Sequence, residues 1–225
     1  MLLMQERTTN APAGFGLDHP DPSVRMKAAL EAGMSSATVP IEALIDRCAV
    51  EPDFYVRDML TWALTRHPAD VVVPRLLDEL GSPVPQARSQ ALHTLSKLGD
   101  RRAWSAVFGD LLHDSDDEVA RSAWRAAVAL VPAGSEEALA RELARELGRG
   151  GQDLQRSLSR ALVALGEVSA PPLAAAAATG SIATRAHAMA TQRLLEDPES
   201  GFIPLLEEAK RAAILGRGPI PGTTG

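Results

Sequence analysis

Apolar residues recur along this chain at helical spacing, in two alternating kinds of segment. From residue 83 to residue 130 the sequence runs PVPQARSQALHTLSKLGD, then RRAWSAVFGDLLHDS, then DDEVARSAWRAAVAL. The first and third segments match one another and flank a shorter one of a different kind. Ala87, Ala91, Leu95 and Leu98 in the first fall on Val119, Ala123, Ala127 and Leu130 in the third, at a constant offset of 32 residues. A unit returning at such a period is a structural repeat, which cannot bury its apolar face without neighbours. We set the register on the first core residue of each longer helix, here called helix B. That register gives Val24, Val56, Ala87, Val119, Leu154 and Thr184. Four residues later, on the same helix face, stand Ala28, Leu60, Ala91, Ala123, Leu158 and Ala188, all apolar.

The ends of the elements carry their own signals. Asp21, Asp53, Asp116 and Ser181 lie three residues before the register position and predict N-caps, because their side-chain oxygens accept from the free N–H groups of the first turn. Pro22 suits the first helical position, where no N–H is needed. Val84 and Gly151 break the cap pattern. Between successive B helices the spacing predicts a shorter helix A, starting at Pro40, Pro74, Ala103, Glu137, Pro172 and Pro204. Its apolar positions follow helical spacing, as in Val107 and Leu111 with Phe108, or Leu139, Leu143 and Leu147. Trp104 shares the first of these stripes and is expected in the core.

This alternation resembles HEAT repeats, in particular the short HEAT-like form also found in phycobilisome lyases. The segments that carry the resemblance are DPSVRMKAAL, DFYVRDMLTWAL, PQARSQALHTL and DDEVARSAWRAAVAL, within residues 20–214. It implies an all-α fold, a right-handed α-α superhelix (an α-solenoid) of about six helix pairs in which each repeat packs on its neighbours. B helices would line the concave face and A helices the convex one. One residue after the register position stand Arg25, Arg57, Arg88 and Arg185, where two units have Ala120 and Gln155 instead. The resemblance implies a structural role for this arginine, paired with acidic residues of adjacent turns. The expected organisation is a mobile tail over 1–17, the solenoid over 18–215 and a second mobile tail over 216–225, both tails rich in Gly, Pro or Thr. Gly33 and Ser35 in the first B helix, and Thr184 and Gln192 in the last, weaken the apolar stripe. They read as capping repeats of a complete, monomeric solenoid, with 201–214 covering the Ala188–Leu195 face.

Composition narrows this further. Hydrophobic residues make up 45% of the chain and aromatics 4%, which suits close-packed helix pairs rather than a sandwich or barrel. Cys48 is the only cysteine, so no internal disulfide forms, and a reducing cytoplasm is the expected location. It lies four residues after Leu44, on the buried side of a helix A. The N-terminus lacks a signal-peptide pattern, and no segment reads as long and apolar enough to cross a membrane. The formal charge of −6 argues against a general nucleic-acid binder, which needs a basic footprint.

The candidate surface lies two and six residues beyond the register position, one helical turn apart. Unit by unit these positions read Met26 and Leu30, Asp58 and Trp62, Ser89 and His93, Arg121 and Arg125, Arg156 and Arg160, then Ala186 and Ala190. Trp124 stands beside Arg125 at the helix edge. The candidate binding residues are therefore Asp58, Trp62, Ser89, His93, Arg121, Trp124, Arg125, Arg156 and Arg160, although Trp62 and Trp124 equally suit buried repeat junctions. Like charges one turn apart cost a helix a few tenths of a kcal/mol, so structure alone gives no reason for the two arginine pairs. Phosphate-binding, hydrolase and metal-ligand motifs are absent, and no cofactor or catalytic residue is expected. The leading reading is a non-enzymatic scaffold for a protein or peptide of acidic character. Asp58 and Trp62 on one face also resemble the Asp framed by aromatics in HEAT-like alkylpurine DNA glycosylases. A third reading is a small-molecule receptor walled by Trp62, His93 and Trp124.

Overall fold

The computed structural model describes residues 16–35 and 40–215, and among them the chain is all-α. The six predicted B helices are α1 (Pro22–Met34), α3 (Phe54–Thr65), α5 (Pro85–Leu98), α7 (Asp117–Leu130), α9 (Gln152–Leu165) and α11 (Ile182–Glu196). The shorter helices between and after them are α2 (Ile41–Val50), α4 (Ala69–Glu79), α6 (Trp104–Val107), α8 (Glu136–Ala144), α10 (Ala170–Thr179) and α12 (Phe202–Ile214). Of the expected tails, residues 1–15 and 216–225 lie outside the described residues. Leu17, placed in the first tail by its sequence surroundings, is 4% exposed and belongs to the core.

Side-chain caps start four B helices where the register predicts them. Asp21 accepts from the N–H of Ser23 at 2.9 Å, Asp53 from those of Tyr55 and Val56, Asp116 from those of Glu118 and Val119, and Ser181 from that of Thr184. Val84 and Gly151 make no such bond. The A-helix starts are less regular. Pro40 does precede α2, but α4 follows Pro68, and Pro74 lies inside that helix. There Pro74 sits on the exposed side and removes one helical hydrogen bond.

Successive B helices pack on one another in chain order, from α1 on α3 through to α9 on α11. The residues four beyond the register are all buried, as are those five beyond: Ala29, Thr61, Leu92, Trp124, Ser159 and Met189. Position five forms the seam between neighbouring B helices. Thr61 in α3 meets Thr94 in α5 at 3.5 Å, and Ser159 in α9 meets Thr191 in α11 at 2.7 Å, joining position five of one helix to position seven of the next. One apolar core runs from Leu17 to Ala188. A second joins Ala186, Met189, Ala190 and Leu194 of α11 to Phe202, Leu206 and Ala209 of α12. The face that α12 covers is thus the Ala186 side of α11, and Ala188 points into the main core.

The third A segment departs from its expected helix. It is a 3-10 turn over Arg101–Ala103, one turn of α6, a break, and a second 3-10 turn over Asp110–His113. Gly109 breaks it with φ 149, a value that side chains disfavour, and Phe108 before it is extended. The break turns Leu112 rather than Leu111 fully into the core. It also frees the Leu112 carbonyl, which accepts the indole N–H of Trp124 at 2.8 Å.

The recurrent arginines hold the connections. Arg25 grips Glu51 with two bonds of 2.7 Å and also donates to the carbonyls of His19 and Pro20. Arg57 donates to the equivalent carbonyls of Glu51 and Pro52, and Arg88 to Ser82 and to both oxygens of Asp114. Where the register places Ala120 instead, Arg149 from the following unit reaches back to the Asp114 carbonyl at 2.6 Å. Arg185 has no acidic partner among the described residues and donates to the carbonyl of Ala213 in α12. The implied pairing with acids therefore holds for Arg25 and Arg88, while Arg57 and Arg185 bond backbone oxygens.

One stretch, Gln152–Thr179, is apolar and long enough by composition to cross a membrane, contrary to the expectation from sequence. It consists of α9, a 3-10 turn over Gly166–Ser169, and α10, and its α9 portion carries Gln155, Arg156 and Arg160 and packs on α7, α8 and α11.

Candidate functional site

The candidate row divides into residues that reach the surface and residues that do not. Trp124 is 0% exposed. It occupies the seam position of α7, and its N–H is satisfied internally, so it is withdrawn from the surface. Ser89 is also buried, with its hydroxyl 3.0 Å from that of Ser122 in the next B helix. With Trp124 buried, Trp62, His93 and Trp124 do not together reach the surface.

Trp62 is 37% exposed, but its ring lies directly over α1. A side chain on Gly33 would collide with that ring, so glycine is the residue that lets the indole seat there. The Arg66 guanidinium lies 6.0 Å from the ring centroid. Trp62 is thereby a junction residue with one exposed edge, and Asp58 beside it is exposed.

The remaining members are electrostatic neighbours. Burial and the nearby Lys97 push the His93 imidazole below its ordinary range, with Asp58 pulling the other way and Arg125 adding a smaller push. His93 is accordingly neutral at pH 7. For Arg125 burial, then Arg121, and more weakly Arg160, press the guanidinium below its usual range, against Glu118. Asp58, His93, Arg125 and Arg160 therefore lie within electrostatic reach of one another in turn, across α3, α5, α7 and α9.

Four arginines on α7 and α9 have little to neutralise them. Arg121 meets Glu118 of its own helix at 3.3 Å and Arg156 meets Asp153 at 3.7 Å, both with exposed carboxylates that water screens. Arg125 and Arg160 have neither a hydrogen bond nor an ion pair among the described residues. The Nε of Arg121 is enclosed and also lacks an acceptor.

Beside Arg156 and Arg160 opens a cavity of about 570 Å³, lined further by Val163 and Ala164 of α9, Leu194 of α11, and residues 198 and 200–204. The α11–α12 connection forms its far wall. On α11 the positions equivalent to the arginines are Ala186 and Ala190, which α12 covers. The arginine row therefore stops at this cavity.

Sequence reasoning missed the cavity and also a buried polar cluster behind it. His187 is fully buried: its Nδ1 accepts from the N–H of Gly148, and its Nε2 lies 3.0 Å from both the Gln155 carbonyl and the Ser159 hydroxyl. These partners select the neutral ring protonated at Nε2, and burial lowers its pKa to about 4. Ser159 continues to Thr191, which bonds back to the His187 carbonyl. The cluster is internally satisfied and closed to solvent, so it holds α9 to α11 and presents no reactive group. Its signal in the sequence is a polar residue at the seam position. Cys48 is likewise internal, with burial pushing its thiol up to about 12.

No protein-family model matches this chain, and no curated protein does either. Among solved structures it is similar to the crystal structure of an engineered protein, at 18% identity and a TM-score of 0.45, over 90% of this chain and 95% of that one. It is also similar to the complex of CpcE and CpcF of phycocyanin lyase from Nostoc sp. PCC7120, at 18% identity and a TM-score of 0.37, over 95% of this chain and all of that one. The class that stands is an all-α protein.

Proposed function

We propose that this chain is a HEAT-like α-solenoid acting as a non-enzymatic adaptor, a cytoplasmic monomer that binds an acidic protein or peptide on its B-helix face. The 32-residue period and the ordered packing of B helices support the solenoid. The single observation that carries the binding role is the group of Arg121, Arg125, Arg156 and Arg160, two of which have no partner among the described residues. An arginine left without a carboxylate in a chain of net charge −6 has abundant acidic side chains to choose from, yet none is placed against these two. Arginine forms paired, charge-assisted bonds to carboxylates, so an external acid completes the site. The acidic balance elsewhere disfavours nucleic acid, and the loss of Trp124 from the surface removes the support for an aromatic receptor pocket.

The test is binding of a fluorescein-labelled acidic peptide to the native chain and to charge-reversed Arg121→Glu/Arg125→Glu. The reading expects binding that weakens at least tenfold in the variant and falls with added salt. Absence of binding to the native chain at low salt overturns it.

A further inference from the structure

The geometry points to an anchor: the cavity between α9, α11 and α12 takes one large apolar side chain of the acidic peptide, whose carboxylates then lie along Arg156, Arg160, Arg125 and Arg121. This inference rests on the adaptor reading and adds to it a register and a sequence preference. The cavity is two-sided. Arg156 and Arg160 stand on one rim, while Val163, Leu194, Phe202 and Ile203 supply an apolar interior. Its volume of about 570 Å³ lies within the range of small-ligand sites and exceeds the bulk of a single side chain, which leaves room for the backbone that delivers it.

Charge settles the kind of occupant. Two cations at the rim repel a basic segment and leave a purely apolar one unpaired with the guanidinium groups, whereas a peptide with an apolar residue next to acids satisfies both halves. Spacing sets the pattern. Packed helix axes lie about 8–10 Å apart, and alternate side chains on one face of an extended peptide are spaced about 6.6 Å apart, so a peptide crossing from α9 to α7 with acids at every second position brings a carboxylate within reach of the arginines on each helix. Direction follows from the covered Ala186 and Ala190: beyond the cavity the row has no further exposed position, so the apolar residue sits at the α12 end and the acids run towards α7. A buried apolar anchor flanked by charge pairs is the usual division of work at such interfaces.

Two labelled peptides, FSESESE and ASESESE, test this by fluorescence anisotropy on the full chain at low salt. The expected result is at least tenfold tighter binding of the Phe peptide. Ala164→Trp, an exposed α9 position at the cavity wall, should erase that advantage while leaving the Ala peptide unchanged, and Ser200→Trp should do the same from the opposite rim. Arg156→Gln/Arg160→Gln should weaken both peptides. Equal affinity of the two peptides, with both still sensitive to Arg121→Gln/Arg125→Gln, overturns the anchor and leaves the adaptor reading standing. Failure of both peptides to bind the native chain removes the two readings together. Tighter binding of an oligothymidine strand than of FSESESE also overturns the anchor, since phosphates would then be satisfying the arginines without it.

Discussion

Two sets of arginines sit on successive B helices, the first on α1, α3 and α5 and the second on α7 and α9, in opposite conditions. Arg25, Arg57 and Arg88 point into the connections before their helices and are saturated there by carboxylates and carbonyl oxygens. Arg121, Arg125, Arg156 and Arg160 point to the B-helix face, where two weak contacts within their own helices are the ion pairs they make among the described residues. Arg25 is the extreme of the first set, 5% exposed against a fully buried Glu51. Burial alone would raise the Glu51 carboxyl, but hydrogen bonds from Arg25, the Asp53 N–H and Arg47 hold it at about 2. A buried charge is tolerated when its partners are built in. On the proposed reading, the unsatisfied ones mark a surface reserved for a partner.

The sharpest way to test the contrast is to break a saturated pair. Arg25→Ala leaves Glu51 buried with Arg47 as its remaining cation and removes the bonds to the His19 and Pro20 carbonyls, so it should be the most destabilising of these changes. Urea unfolding should show that loss as a lower midpoint. A loss below about 1 kcal/mol would place Arg25 in the same class as the surface arginines and dissolve the comparison.

The acid side of the stability profile follows from the same internal satisfaction. His187 is held neutral, with its pKa lowered to about 4 by burial, whereas an unfolded histidine titrates near 6.5. The unfolded state therefore binds more protons between those values, and stability is present above about pH 6.5 and lost as pH falls towards 4. Between pH 7 and pH 5 the loss from this residue is about 2 kcal/mol. Glu51, with its depressed pKa, adds a further loss only below about pH 4.5. His187→Asn should flatten the first window and leave the second, as read by urea midpoints at pH 7, 5 and 3.5. An unchanged slope between pH 7 and pH 5 would mean that His187 titrates elsewhere than its surroundings require.

Trp124→Phe separates a seam residue from a surface one. It removes the N–H that satisfies the Leu112 carbonyl and leaves a small void, costing about 2 kcal/mol. Peptide binding measured on the folded variant should not change. Loss of binding without loss of stability would return Trp124 to the surface role that its sequence neighbours suggest.

The period made the helix starts and the core legible. Asp21, Asp53, Asp116 and Ser181 cap as expected because a cap depends on local chemistry that the register locates. The arginine row was legible for the same reason, since positions two and six are fixed by helical geometry. Trp124 was misplaced because adjacency to Arg125 in sequence does not place it on the same face. The seam position is buried in every unit, and that pattern outranks the neighbour. Pro74 and the 101–113 segment were misread because helix A is short and weakly periodic, so a Pro or a Gly109 decides its course locally. The cavity had no signature at all, for it arises where the α11–α12 connection arches back over α9, bringing together residues about 40 apart in sequence.

The smallest expected effect is also the one that bears most directly on the contrast. If Arg125 and Arg160 contribute nothing internal, replacing both with Gln should not destabilise the chain. Relief of repulsion with Arg121 and Arg156 should raise stability by a few tenths of a kcal/mol at low salt, the scale of like charges one turn apart. Salt supplies the control. Screening weakens repulsion between exposed charges over about 10 Å at 0.1 M, so added salt should raise the melting temperature of the native chain more than that of Arg125→Gln/Arg160→Gln. Arg57→Gln, which removes bonds to the Glu51 and Pro52 carbonyls, should instead lower stability at every salt concentration. If the double variant loses stability as Arg57→Gln does, its arginines have internal partners, and the reserved surface is not there.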